Sequence, residues 1–167
     1  MQRNTEMSQG RRTETDAGTQ LRAQVPEQWN VVTERIIGLA MEVHSVLGPG
    51  LLERLYEDAM VHELECAGMR VQRQYPVRLR YKEIELGEQR LDLVVNELIV
   101  IELKSIEKVS DVHLAQLVSY LRSAKLPLGL LINFNVPRLK EGLFRRINPA
   151  ACPPCDVTQS SSSSASL

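Results

Sequence analysis

Residues 90–104 read RLDLVVNELIVIELK and contain the pattern that decides the fold. Two apolar runs flank Asn96-Glu97, and they predict two strands that are joined by a turn. Asp92 lies inside the first run, where an unpaired charge would be costly to bury. Glu102 and Lys104 are two residues apart in the second run, so they project from the same face of that strand. The stretch therefore predicts charged side chains on the face of an apolar sheet.

Two carboxylates beside a lysine suit the binding of a divalent cation and the activation of a water molecule. Carboxylate oxygens are the hard ligands that Mg²⁺ prefers. The metal would lower the pKa of its water, and a lysine can stabilise the charge that develops on a phosphate. Spacing alone gives equal weight to another interpretation, in which Lys104 forms a buried ion pair with Glu102 or Asp92, or an edge strand carries solvated charges.

The turn between the two strands tests whether the two carboxylates share a face. They share a face only if the two residue numbers of each pair across the hairpin add to an even total. A two-residue Asn96-Glu97 turn would pair Val95 with Leu98 and place Asp92 on the wrong face. The site therefore predicts a three-residue connection or a bulge at this point.

Two helices are predicted before the strands. Apolar residues recur every three or four positions from Asn30 to Leu47, and Gly48-Pro49-Gly50 ends that helix. In the second helix Gly68 is a candidate C-cap residue. Its predicted buried side comprises Leu52, Leu55, Tyr56, Ala59, Met60 and Leu64.

The pattern after Gly68 has a period of two and predicts short antiparallel strands, with turns near Pro76 and Lys82-Glu83. A third helix is predicted to start at Ser110 or Asp111. The apolar run Leu128–Phe134 then suits a buried central strand. The order predicts a sheet with helices packed on it.

The composition is that of a globular domain between polar ends. Of 167 residues, 43% are hydrophobic, only 4% are aromatic, and the net charge is -1. This excludes an aromatic platform for single strands and a strongly basic protein that coats nucleic acid, but it allows an enzyme with a local basic rim. Residues 1–27 and 150–167 are predicted to be disordered, which leaves a domain at 28–149.

The cysteines and the N-terminus predict a cytoplasmic protein. Three cysteines are too few for a disulfide framework, and Cys152-Pro-Pro-Cys155 is a lone pair without a second pair to complete a zinc site. Residues 1–24 lack an apolar signal core, and no apolar run is long enough to span a membrane.

Five motifs in order resemble the GxxExxY protein family, which belongs to the PD-(D/E)XK nuclease superfamily. The resemblance covers residues 34–147 and implies an α/β fold with an αβββαβ core, in which helices flank a central mixed sheet. The motifs are EVHSVLGPG (42–50), GLLERLY (50–56), RLD (90–92), IELK (101–104) and LLINF (130–134).

The resemblance assigns roles to particular residues. Asp92 matches the motif aspartate, although Leu91 replaces the proline that precedes it in the superfamily's name. Glu102 and Lys104 match the ExK pair. Gln116 and Tyr120 match a QxxxY element on the following helix. The carboxylate that several branches supply from the first core helix is matched by Glu53, with Glu57 as a second candidate.

The first hypothesis is a phosphodiesterase that acts on DNA or RNA and depends on Mg²⁺ or Mn²⁺. Asp92, Glu102 and the Leu103 carbonyl would hold the metal, Lys104 would position or activate water, and Glu53 and Gln116 would complete the site. The alternative is a non-catalytic module that binds nucleic acid or protein. Convergence of the charged side chains with Glu53 would favour the enzyme, and a closed ion pair at Lys104 would favour the module.

Two histidines are further candidates for the site. His44 and His113 each lie beside apolar positions on a predicted helix. A lone helical histidine is more often a packing residue with a hydrogen bond than a catalytic base, so both are expected to be structural.

Overall fold

The structure, a computed structural model, describes residues 25–152. Residues 1–24 and 153–167, which include most of the predicted disordered ends and Cys155, lie outside the described residues. Val25 is buried, and the first helix begins at Glu27, inside the predicted N-terminal segment. The elements are α1 (Glu27–Leu47), α2 (Glu53–Cys66), β1 (Val71–Tyr81), β2 (Ile84–Val95), β3 (Ile99–Lys104), α3 (Asp111–Ala124), β4 (Leu128–Asn133) and β5 (Leu143–Ile147).

The strands form one mixed sheet in the order β1-β2-β3-β4-β5. β3 and β4 are parallel, and α3 makes the crossover between them. The other neighbouring strands are antiparallel. The sequence therefore predicted the α/β class, the αβββαβ core and the mixed sheet correctly, and β5 extends that core by one strand.

Helices cover both faces of the sheet. α1 and α2 pack on one face, in a cluster we call the α2-side core, around Ile36, Tyr56 and Met60. α3 packs on the other face, in a cluster we call the α3-side core, through Leu117, Tyr120 and Leu121. Gly129 of β4 allows this close approach, because a Cβ atom there would lie 2.9 Å from Leu117 Cδ1.

The helix ends follow the predicted local chemistry. α2 ends in a Schellman arrangement, in which Gly68 has φ 75° and donates its N–H to Glu65, and Met69 donates to Leu64. Ser110 is the N-cap residue of α3, and its N–H donates to Nδ1 of His113 over 3.0 Å. Both predicted caps are confirmed.

Three local predictions were wrong. The strands after Gly68 are not short, since β1 has 11 residues and β2 has 12. The turn near Pro76 does not exist, because β1 continues through this residue as an edge strand, where proline's missing N–H breaks no ladder. Leu52 and Leu55 are 75% and 41% exposed instead of buried, because the inward stripe of α2 starts only at Tyr56. The turn at Lys82-Glu83 between β1 and β2 is confirmed.

Candidate metal and catalytic site

The register of the β2–β3 hairpin places Asp92 and Glu102 across from each other. Val95 pairs with Ile99, so the paired numbers add to an even total. Residues 96–98 form the connection, which has three residues as predicted. Extending this register by one residue past the last backbone pair, Leu93 and Ile101, brings Asp92 opposite Glu102. The geometric condition for a shared site is therefore met.

Asp92 bridges the two strands through its side chain. Its Oδ2 accepts the N–H of Leu103 over 2.8 Å. Burial raises the pKa of the Asp92 carboxyl, and this outweighs the lowering by the Leu103 hydrogen bond and the charge of Lys104. The charges of Glu57 and Glu53 raise that pKa further. The half-buried Asp92 carboxyl is therefore harder to ionise than an exposed one.

Glu102 is more buried and less satisfied. Lys104 Nζ donates to its Oε1 over 2.8 Å, and its side chain is only 7% exposed. Its Oε2 is buried and has no hydrogen-bond partner among the described residues. Burial and the charge of Asp92 raise the pKa of Glu102 to about 7, although Lys104 acts against this increase. Glu102 Oε2 therefore has lone pairs that no donor of the described residues satisfies.

Lys104 keeps its proton in this environment. Burial lowers its pKa, but the hydrogen bond to Glu102 and the charges of Glu102, Glu53 and Asp92 outweigh burial and raise the pKa overall. The ammonium group is therefore a permanent donor at neutral pH. It can hold or neutralise an anion, but it has no free lone pair with which to take a proton from water.

Glu53 ties the start of α2 to the end of β3. Its Oε1 accepts the N–H of Ser105 over 3.0 Å, and Ser105 Oγ donates to the Leu51 carbonyl over 2.6 Å. The side chain is exposed, and its charge acts on Asp92, Glu102 and Lys104 alike. The structure therefore brings Glu53 to the same site as the strand residues.

Tyr56 fixes the loop that precedes Glu53. Its ring is fully buried and stacks on Phe134 with centroids 4.3 Å apart. Its hydroxyl donates to the Gly48 carbonyl over 2.6 Å and accepts the N–H of Leu51 over 3.1 Å. Tyr56 of the GLLERLY motif is therefore an anchor for the loop, while Glu53 faces the site.

Gln116 and Tyr120 border the site from α3. Gln116 is exposed, and its Nε2 donates to the Tyr120 hydroxyl over 2.5 Å. Burial raises the pKa of Tyr120, and the nearby charge of Glu102 adds to the effect, which places this hydroxyl within electrostatic reach of the carboxylates. Within residues 25–152 we find no direct hydrogen bond between Gln116 and Asp92, Glu102 or Lys104.

The remaining candidates have structural partners. Nε2 of His44 donates to the Val136 carbonyl over 2.8 Å, and His113 caps α3. Glu57 accepts from Arg73 and Gln74 instead of facing the site. Basic residues on or next to the first two strands also pair with carboxylates, namely Arg70–Glu97, Arg78–Glu85 and Arg90–Glu88.

Two residues near the site were missed by the sequence reasoning. Asn133 is 1% exposed, lies opposite Lys104 in the β3–β4 register, and bonds both the N–H and the carbonyl of Ile106. Its position as a polar residue inside an apolar run was the available signal. Ser105 had no comparable signal beyond directly following Lys104.

The donor set fits a divalent cation only in part. Within the described residues, no group of three or more His, Cys, Asp or Glu side chains could hold a metal ion. The predicted set contributes only two carboxylates, Asp92 and Glu102, together with the Leu103 carbonyl. The unpartnered Glu102 Oε2 and the raised pKa values of both carboxyls are the features expected where a cation would supply the missing charge.

Comparison with known proteins identifies the family. A model of the PD-(D/E)XK nuclease superfamily matches residues 30–147, and this chain belongs to that superfamily. Nucleases of the superfamily generally use divalent metals. No curated protein and no solved structure gives a significant match to this chain. The narrower resemblance to GxxExxY proteins stays a prediction.

Among the described residues, no helix is both long and apolar enough to cross a membrane. The cytoplasmic location predicted from the sequence stays a prediction.

Proposed function

We propose that this protein is a nuclease that hydrolyses phosphodiester bonds in DNA or RNA with the help of Mg²⁺ or Mn²⁺. The observation that carries the proposal is the carboxylate pair of half-buried Asp92 and buried Glu102, in which Glu102 Oε2 has no hydrogen-bond partner among residues 25–152 and Lys104 lies beside it. A protein that needed only a stable sheet would gain nothing from such a pair, because uncompensated buried charge is destabilising. Membership of the superfamily supports the same conclusion.

Three groups would hold the cation: the carboxylates of Asp92 and Glu102 and the carbonyl of Leu103. All are hard oxygen donors of the kind that Mg²⁺ and Mn²⁺ accept. When bound, the cation would polarise a phosphoryl oxygen and lower the pKa of a water molecule. The Leu103 N–H fixes Oδ2 of Asp92, so Oδ1 would be the oxygen that faces the cation.

Lys104 would act on the substrate as a cation. Because its pKa is raised, the ammonium group can donate to a phosphate oxygen and stabilise the charge that develops there. In the absence of substrate this donor is occupied by Glu102 Oε1. The ammonium group has three N–H donors, and the bond to Glu102 leaves two of them that would be directed to the phosphate.

Glu53 and Gln116 would have supporting roles. Glu53 holds the Ser105 N–H and so fixes the chain directly after Lys104. Gln116 would act through the Tyr120 hydroxyl, to which it donates. Glu53 lies near enough to influence the pKa of Glu102, and its exposed position leaves it open to a hydrated cation.

The second candidate function is a binding module without catalysis. It is favoured by the ion pair between Lys104 and Glu102, whose side chains are 18% and 7% exposed. A closed pair of this kind is expected where a site no longer catalyses a reaction. The net charge of -1 also gives no general attraction to nucleic acid.

A cleavage assay separates the two functions. Single- and double-stranded DNA and RNA are incubated with the full chain in Mg²⁺ or Mn²⁺, and products are resolved on denaturing gels. We expect cleavage by the wild type, loss in Asp92→Asn and Lys104→Met, and full activity in Glu97→Gln, a matched change at a carboxylate that is 69% exposed. Cleavage that survives in Asp92→Asn would refute the proposed site, and binding without cleavage would favour the module.

A further inference from the structure

Side chains of β2 change face at Asp92. Val95 and Leu93 lie in the α2-side core, and Val94 between them lies in the α3-side core, as the alternation of a strand requires. Leu91 is two residues from Leu93 and should share its face, yet it lies in the α3-side core. The alternation is therefore shifted by one residue at Asp92.

The partner strand shifts at the same rung. Arg73 points to α2, where it bonds Glu57, whereas Tyr75 packs against the α3-side core. Arg73 pairs with Leu93, and Tyr75 pairs with Leu91, so no residue is inserted between these rungs. Gln74 and Asp92 fall between these two rungs, and Gln74 has φ 48°, in the left-handed region that is costly for a residue with a Cβ atom.

Glu57 holds this irregular segment from α2. Gln74 Nε2 donates to its Oε2 and Arg73 Nε donates to its Oε1, both over 3.0 Å. Arg73 Nη2 also donates to Asp58 over 2.6 Å. Glu57 is only 8% exposed, and each of its two carboxylate oxygens accepts a hydrogen bond from one of these neighbours on β1.

The shift determines what Asp92 can contact. A regular strand would direct this side chain perpendicular to the sheet. Instead its Oδ2 reaches the N–H of Leu103 over 2.8 Å, a main-chain group of the neighbouring strand. The backbone pairs between β2 and β3 stop at Leu93, one residue from Asp92. A side chain thus makes the contact between strands at the point where backbone pairing ends.

We propose that Glu57 is a positioning residue for Asp92: by holding Gln74 in the left-handed conformation, it sets the strand shift that directs the Asp92 carboxylate to Leu103. Glu57 then takes no part in binding the cation itself. The consequence for metal affinity rests on the proposed function, whereas the orientation of Asp92 does not.

A matched pair of variants tests the proposal at an exposed residue. Gln74→Ala and Gln74→Gly both remove the hydrogen bond to Glu57, but only glycine adopts φ 48° without steric cost. We expect amide exchange at Leu103, followed by NMR, to be about tenfold faster than wild type in Gln74→Ala and close to wild type in Gln74→Gly. Equal exchange in the two variants, at either rate, would overturn the proposal.

Variants on α2 give the second test. Glu57→Ala should accelerate exchange at Leu103, and the added Gln74→Gly change should restore it. Asp58→Ala, which removes the other partner of Arg73, is the control and should leave exchange at Leu103 unchanged. Unchanged exchange in a folded Glu57→Ala variant would contradict the role given to Glu57.

Magnesium titration of the same variants separates this inference from the proposed function. We expect the affinity of Gln74→Ala for Mg²⁺ to be about tenfold lower than that of Gln74→Gly. A loss of this size is typical when one metal ligand is no longer held in its orientation. If the wild type binds no Mg²⁺, the proposed function fails, and the exchange rates at Leu103 still decide whether Glu57 positions Asp92.

Discussion

Replacing Glu102 with glutamine should change how the stability of the protein depends on pH. The folded-state pKa of Glu102 is about 7, against an ordinary value of 4.5. Between these two pH values the folded protein keeps a proton that the unfolded chain has released. The free energy of unfolding therefore falls as pH rises through this window, and the full loss is present above pH 7.

The size of the effect follows from the pKa difference. The raised pKa corresponds to about 3 kcal/mol of stability lost between pH 4.5 and pH 8. Because only 7% of the Glu102 side chain is exposed, solvent screening removes little of this amount. Glutamine keeps the shape and an acceptor for Lys104 but does not titrate, so the variant should lack this loss. Any constant packing cost of the substitution cancels when each protein is compared with itself at two pH values.

Urea unfolding, followed by the fluorescence of the single tryptophan, Trp29, measures this difference. The experiment is done in chelator at pH 4.5 and pH 8 on the wild type, Glu102→Gln and the exposed control Glu97→Gln. Between pH 4.5 and pH 8, we expect the free energy of unfolding to fall by about 3 kcal/mol more in the wild type and the control than in Glu102→Gln. Identical pH profiles for wild type and Glu102→Gln would show that Glu102 stays ionised in a satisfied ion pair, and would refute the reasoning.

Three further predictions concern the same site and its support. Affinity for Mg²⁺ should rise about tenfold per pH unit up to pH 7 and then level off, because the cation must displace the proton of Glu102. Calorimetry at several pH values measures this dependence, and an affinity that does not change with pH would contradict it. Tyr56→Phe keeps the stack on Phe134 but leaves two main-chain groups unpaired, so unfolding in urea should show a loss of about 1–3 kcal/mol; a loss near zero would mean that the hydroxyl does not anchor the loop. Gly129→Ala should cost about 1–3 kcal/mol by pushing Leu117 and α3 away from the sheet, and an unchanged melting temperature would count against that packing.

The sequence predicted the hairpin connection because the chemistry imposed a numerical condition on it. If Asp92 and Glu102 belong together, the two strands cannot be joined by two residues, and Leu98 enters the turn. Spacing within one strand similarly placed Glu102 and Lys104 on one face. These inferences succeed because strand alternation is a local property of the chain.

Other features depend on distant parts of the chain. Pro76 was predicted in a turn, although it lies in a strand, since only the order of the sheet shows that β1 is an edge. The role of Glu57 depends on Arg73 and Gln74, which lie on another element and make the contact only in the folded protein. The left-handed backbone of Gln74 leaves no trace in the local pattern, because glutamine has no preference for it.

The central claim is that Asp92 and Glu102 together hold a divalent cation, and calorimetric titration with Mg²⁺ or Mn²⁺ tests it most directly. The account predicts binding at millimolar metal or below in the wild type, its loss in both Asp92→Ala and Glu102→Ala, and its retention in Glu97→Ala. Binding that is the same in the wild type and in the two site variants would contradict the account.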